Sequence, residues 1–153
     1  MQKLNNFLDD FRKDHSRLIK SVASFNKAIE SSSLNAAKQI LNEINEALDA
    51  HFNFEETYLY PRLRRLMLEI TQNLHREQET MREFINKTRS ILDKTKLPKN
   101  ELSPILEMTP RLSKLFNDCN DLVSLVKKFD KKDIDDLERR FRECRVVKNL
   151  VTV

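Results

Sequence analysis

The chain has 153 residues, with no glycine, no tryptophan, 34% charged residues and a net charge of +4. That length suffices for one domain with a sizeable core, expected to span residues 1–153. The lack of glycine argues against β-hairpins, phosphate-cradling loops and dinucleotide-binding turns, all of which use glycine backbone conformations.

The first predicted helix runs from about residue 2 to 30. Its apolar stripe is Leu4, Leu8, Phe11, His15, Leu18, Val22, Phe25 and Ile29. The steps alternate four and three, as on a helix packed in a bundle. Ser31-Ser32-Ser33 breaks the pattern, and one of these serines can cap the next helix. The second helix is expected over 34–60, with Leu34, Ala37, Leu41, Ile44, Leu48, His51, Glu55 and Tyr58 inward. Pro61 marks its end or a kink, because proline cannot continue the hydrogen-bond ladder.

A third helix is predicted over 66–95, with Met67, Thr71, Leu74, Gln78, Met81, Ile85, Thr88 and Leu92 on its seam. His75 borders that stripe beside Leu74. Lys96 to Leu102 reads as a polar loop, and Ser103-Pro104 as a cap followed by a first-turn proline. The fourth helix is expected over 104–129, starting with a kinked piece at Thr109-Pro110. Its seam is Leu112, Leu115, Cys119, Leu122, Val126 and Phe129. Asp133 is the expected cap of a short fifth helix over 133–147, with Leu137 and Phe141 inward. The apolar tail Val146 to Val153 is expected to dock on the bundle or to form a dimer contact. The fold class is therefore all-α: an antiparallel up-down-up-down four-helix bundle with a short fifth C-terminal helix.

Cys119 and Cys144 form no disulfide framework, so a cytoplasmic location is the default expectation. The N-terminus does not read as a signal peptide, and no apolar run approaches the ~18–20 residues that span a bilayer. The basic excess is spread over mixed-charge helix faces, and the phenylalanines sit at core spacing. No nucleic-acid partner and no membrane are expected.

His51 and Glu55 lie four residues apart at core positions. A buried histidine is ordinarily a satisfied core residue, but a core carboxylate is costly unless something pairs with it. In an up-down bundle, residues at equal height on consecutive helices are equidistant from the turn between them. Midway between His15 and His51 is Ser33, in the serine turn. Midway between His51 and His75 is Leu63, just past Pro61. The three imidazoles therefore fall at one height on three helices, one turn from an inward glutamate. That pattern is a metal-site constellation with His15, His51, Glu55 and His75 as candidate ligands.

The pieces Asp14-His15-Ser16-Arg17-Leu18, His51-xxx-Glu55-Glu56-xxx-Tyr60-Pro61 and Leu74-His75-Arg76 resemble the hemerythrin-like, or HHE cation-binding, family. The resemblance implies a four-helix bundle around a carboxylate-bridged di-iron centre. It makes His15 and His51 terminal ligands of one metal, Glu55 the bridging carboxylate, and His75 a ligand of the second metal. The fourth helix departs from the pattern: the family's second histidine-and-carboxylate pair falls on Asn120 and Ser124, or on Cys119, Leu122 and Val126. Cys119 is the one candidate ligand there, ordinarily a small buried hydrophobe. Lys127 and Lys128 read as solvated. Glu79 sits four residues after His75 and could add a carboxylate, but Glu56, Glu79 and Tyr60 are expected at the surface and Tyr58 in the core.

The expected function is non-heme iron binding at an incomplete site, mononuclear or partial di-iron, with zinc an alternative metal. Its role would be iron or O₂/NO binding, sensing or storage. The alternative is a metal-free bundle acting as an interaction or regulatory module, through a protein partner or a homodimer contact at the C-terminal helix and tail. A di-iron oxidative enzyme would need a complete two-metal site, and no Ser-His-Asp or Cys-His nucleophile is present. The sequence therefore leans against catalysis.

Overall fold

The computed structural model describes residues 2–93 and 105–145. Helix α1 spans Gln2–Glu30 and α2 begins at Leu34, with Ser33 as its N-terminal flank. Between them Ser32 takes a left-handed conformation (φ 58°). The Ser33 amide donates to Ala28 and the Ser32 amide to Ile29, which satisfies the last carbonyls of α1. In a chain without glycine, a serine fills this position.

Helix α2 is regular over Leu34–Phe54, passes into a π-helical segment over Glu55–Leu59, and ends in a turn over Tyr60–Leu63. Pro61 therefore does not end the helix. The Tyr60 amide reaches back five residues to Glu55, and this wide turn precedes the position where proline lacks a donor. The extra residue rotates the inward face. Leu59, Tyr60 and Leu63 become buried, while Tyr58 is only half-buried. The expectation of a surface Tyr60 is thus overturned, while Tyr58 packs at the margin of the core rather than within it.

Helix α3 spans Leu68–Leu92 rather than starting at residue 66. Met67 is extended (φ −142°), and Leu66, Met67, Leu68 and Ile70 are exposed, so Met67 is not on the seam. From Thr71 to Leu92 the seam is buried as expected. Helix α4 covers Met108–Val123 and runs into a 3₁₀ segment over Ser124–Lys128. Helix α5 covers Lys131–Cys144. The expected loop at Lys96–Leu102, the Ser103-Pro104 cap and the tail Val146–Val153 lie outside the described residues.

The α1 helix packs against α2 and α4, and α3 against the same two, which closes a four-helix ring. Helix α5 lies across α1 and α2. It docks through Phe141, whose ring meets Phe7 at 5.3 Å and Phe54 at 5.4 Å, both edge-on. Arg62 adds bonds to Asp133 (3.0 Å) and Asp136 (2.5 Å). No strand occurs among the described residues. None of their helices is long and apolar enough to cross a membrane.

The cap of α5 is Asp130, not Asp133. Its carboxylate accepts from the Asp133 amide at 2.9 Å, while the Asp133 side chain is occupied by Arg62. Asp130→Ala is expected to cost about 1 kcal/mol of stability in urea unfolding. An unchanged midpoint would refute the cap.

Candidate metal centre

Two imidazoles meet in the core. His15 Nε2 lies 2.8 Å from His51 Nε2, joining α1 to α2. On its other side His15 Nδ1–H donates to the Asn120 side-chain oxygen of α4 at 2.8 Å. That bond fixes the tautomer and leaves the Nε2 lone pair turned toward His51. The Phe116 ring stacks on His15 at 4.2 Å, nearly parallel, and Phe11 packs against both imidazoles. Both histidines are buried. Burial, reinforced by His51, drives the His15 pKa down to about 3, so its imidazole is neutral at pH 7.

Glu55 sits at the start of the π segment, 1% exposed. Its two oxygens have different surroundings. Oε2 accepts from the Tyr60 hydroxyl at 2.7 Å, the Gln78 amide at 2.9 Å and the Cys119 thiol at 3.2 Å. Oε1 lies 2.7 Å from His51 Nε2 but off the direction of a ring N–H, so it is a close contact with no hydrogen bond. One oxygen is thus anchored by three donors. The other is an orphaned buried acceptor facing the histidine pair.

Burial alone would raise the Glu55 pKa, but the close approach of His51 at 2.7 Å and the hydrogen bond from Tyr60 leave it lowered. Burial and the neighbouring carboxylate push Tyr60 and Cys119 well up, so both remain protonated donors. The centre is one carboxylate held by neutral donors from the end of α2, from α3 and from α4.

Of the four ligands expected from sequence, the structure brings His15, His51 and Glu55 together. It places His75 elsewhere, half-buried at the edge of α3, with Nε2 3.6 Å from both Glu56 and Glu79. Gln78, three residues on, is the α3 side chain that reaches Glu55. Lys127 and Lys128 are exposed, and Glu56 pairs with Arg82. His15, Glu55 and Cys119 also form a group whose ligand atoms all lie within 4.8 Å of one another.

Sequence reasoning missed Tyr60 because regular helical spacing carries that side chain outward; Pro61 was the signal for the altered phase. It placed Gln78 on the seam without a role, although a buried amide must find a partner. Asn120 was counted as a lost histidine, yet it holds His15. Asp14 was also overlooked. It is fully buried beside His15, clamped by Arg145 at 2.7 to 3.1 Å.

No curated protein and no solved structure matches the chain. The family model described as the hemerythrin HHE cation binding domain matches residues 6–143. That span carries the whole buried cluster, from His15 to Asn120, and all five helices apart from their outermost ends. With a four-helix ring around paired imidazoles and an inward carboxylate, the chain belongs to the hemerythrin HHE cation-binding family.

Proposed function

We propose that the protein binds a non-heme iron ion through His15 Nε2, His51 Nε2 and Glu55 Oε1, and uses it to bind O₂ or NO for sensing, transport or storage. The observation that carries this reading is the orphaned Oε1 beside two imidazole nitrogens. A buried carboxylate oxygen without a hydrogen bond is expensive, and a cation between it and the imidazoles would satisfy it. Two histidines and one carboxylate are the donor set of open mononuclear Fe(II) sites, which the cation-binding character of the family supports. The ion, when bound, would supply coordination positions for a small exogenous ligand.

The chain's own groups do the rest. Asn120 keeps the His15 lone pair facing inward. Tyr60, Gln78 and Cys119 hold the carboxylate so that Oε1 points to the histidines. Phe11 and Phe116 exclude water and keep the site apolar enough for a diatomic ligand. A metal-free interaction module would leave Glu55 Oε1 as an unexplained buried acceptor.

The test is metal analysis of protein purified without a histidine tag, followed by optical spectra under air and under NO. Near-stoichiometric iron and a new absorption band with NO are the expected results. Stoichiometric zinc with no NO response would leave the ligands standing and remove the gas-binding role. Metal-free protein that cannot be reconstituted would refute the reading.

A further inference from the structure

We infer that the centre holds one ion, on the Oε1 side of Glu55, and that Gln78, Tyr60 and Cys119 occupy the place a second ion would need. This rests on the metal-binding reading above and fixes its ion count. A carboxylate bridges two cations through its two oxygens only when each oxygen keeps a lone pair free for its own ion. Glu55 Oε2 keeps none: it accepts three hydrogen bonds from the hydroxyl, the amide and the thiol. Each donor turns a hydrogen toward that oxygen, and a cation there would repel all three.

The donors are also tied to one another. Gln78 Nε2 lies 2.7 Å from the Tyr60 hydroxyl, and the Cys119 sulfur 4.0 Å from it. All three residues are at most 1% exposed, and they come from three separate elements. The Gln78 amide is used one-sidedly: its Nε2 serves Glu55, while its buried Oε1 has no partner. Donation to Glu55 is therefore what the position supplies. Among the described residues, the imidazole that comes within 4.8 Å of the Cys119 sulfur is that of His15, already assigned to the Oε1 side. His75 faces Glu56 and Glu79 instead, and Glu79 is largely exposed. Gln78 and Tyr60 are thus positioning residues for the single-ion site.

The experiment titrates metal-free full-length protein with Co(II) under anaerobic conditions. Bound metal is counted by native mass spectrometry, and the spins are read by EPR. Surface binding is subtracted with His51→Ala protein. One Co(II) per chain with the spectrum of an isolated high-spin ion is expected. Two per chain with an exchange-coupled spectrum overturns the inference and leaves metal binding intact. No Co(II) above the His51→Ala background overturns the metal-binding reading itself, and the ion count with it.

A second variant tests the role of Gln78. Gln78→Glu replaces the amide donor with a carboxylate of the same size, so two acidic groups face each other where a donor met an acceptor. That arrangement favours a cation between them. The variant is expected to take up a second Co(II) and to show exchange coupling. A Gln78→Glu protein that stays folded by circular dichroism and still binds one isolated ion shows that Gln78 does not exclude the second metal.

Discussion

His51→Ala is expected to empty the centre. Losing even a residue that only orients a metal ligand costs roughly 10- to 100-fold in metal affinity. Removing one of the three proposed donors should exceed the upper end of that range. His51 Nε2 stands 2.8 Å from His15 Nε2 and 2.7 Å from Glu55 Oε1, so it is the member that touches both others. The wild-type protein should melt at a lower temperature once a chelator has stripped it, because a ligand that binds only the folded state stabilises that state. The alanine variant should carry little metal and show no response to chelator. His75→Ala is the control. His75 faces Glu56 and Glu79 at the edge of α3, so its loss should leave loading and the chelator response unchanged. Equal loss of metal in both variants would mean that the ion sits nearer α3 than the buried cluster.

The two variants also mark how far the sequence could be read. The seam positions His15, His51 and Glu55 were legible because each lies on an unbroken three-four stripe, where periodicity dictates burial. Equal height followed from turn positions alone. His75 was at the right height but on the flank of its stripe. A residue 100° off the seam cannot reach the core, whatever its level along the bundle. Tyr60 is buried against expectation, and Tyr58 only half-buried, for a related reason. Helical spacing presumes a constant turn, and the π segment at Glu55–Leu59 adds one residue to it. Pro61 hinted at an irregularity, but a single proline does not say whether the chain stops, kinks or widens.

The asymmetry of Glu55 was not legible at all. It depends on three donors that meet only after folding, from the end of α2, from α3 and from α4. Gln78 and Cys119 read as ordinary seam residues, and Asn120 read as a missing ligand. The fold was easier, since alternating apolar steps and turn residues are local signals. The position of α5 was not local. Its attachment is written in Phe141 and in the arginines that reach Asp10 and Asp14 on α1, residues over 130 positions away in sequence.

That last attachment supports the second large effect. Asp14 is fully buried, and its carboxylate is bound by Arg145 through Nε at 3.0 and 3.1 Å and through Nη2 at 2.7 Å. Arg145 is itself nearly buried and lies over the Phe141 ring. Arg145→Ala would leave the buried Asp14 carboxylate with only the longer 3.7 Å contact to Arg17 Nη1, and breaking a buried pair in this way costs up to about 3–5 kcal/mol. An exposed ion pair would cost about 0–1 kcal/mol, so urea unfolding separates the two cases. Asp14→Leu combined with Arg145→Met should recover most of the loss, because it removes both members of the buried pair and leaves only the partly exposed Arg17 without its carboxylate. The same pair borders the cleft that reaches His51. Asp14, His51, Phe141, Cys144 and Arg145 line a cleft of only about 10 Å³. With the guanidinium gone, that cleft opens onto His51. Metal held at the proposed site should then be extracted by chelator faster from Arg145→Ala than from wild type, while the double apolar variant keeps the cleft filled and the extraction slow. If Arg145→Ala loses stability but gives up its metal no faster, the pair holds α5 in place without guarding the way to His51.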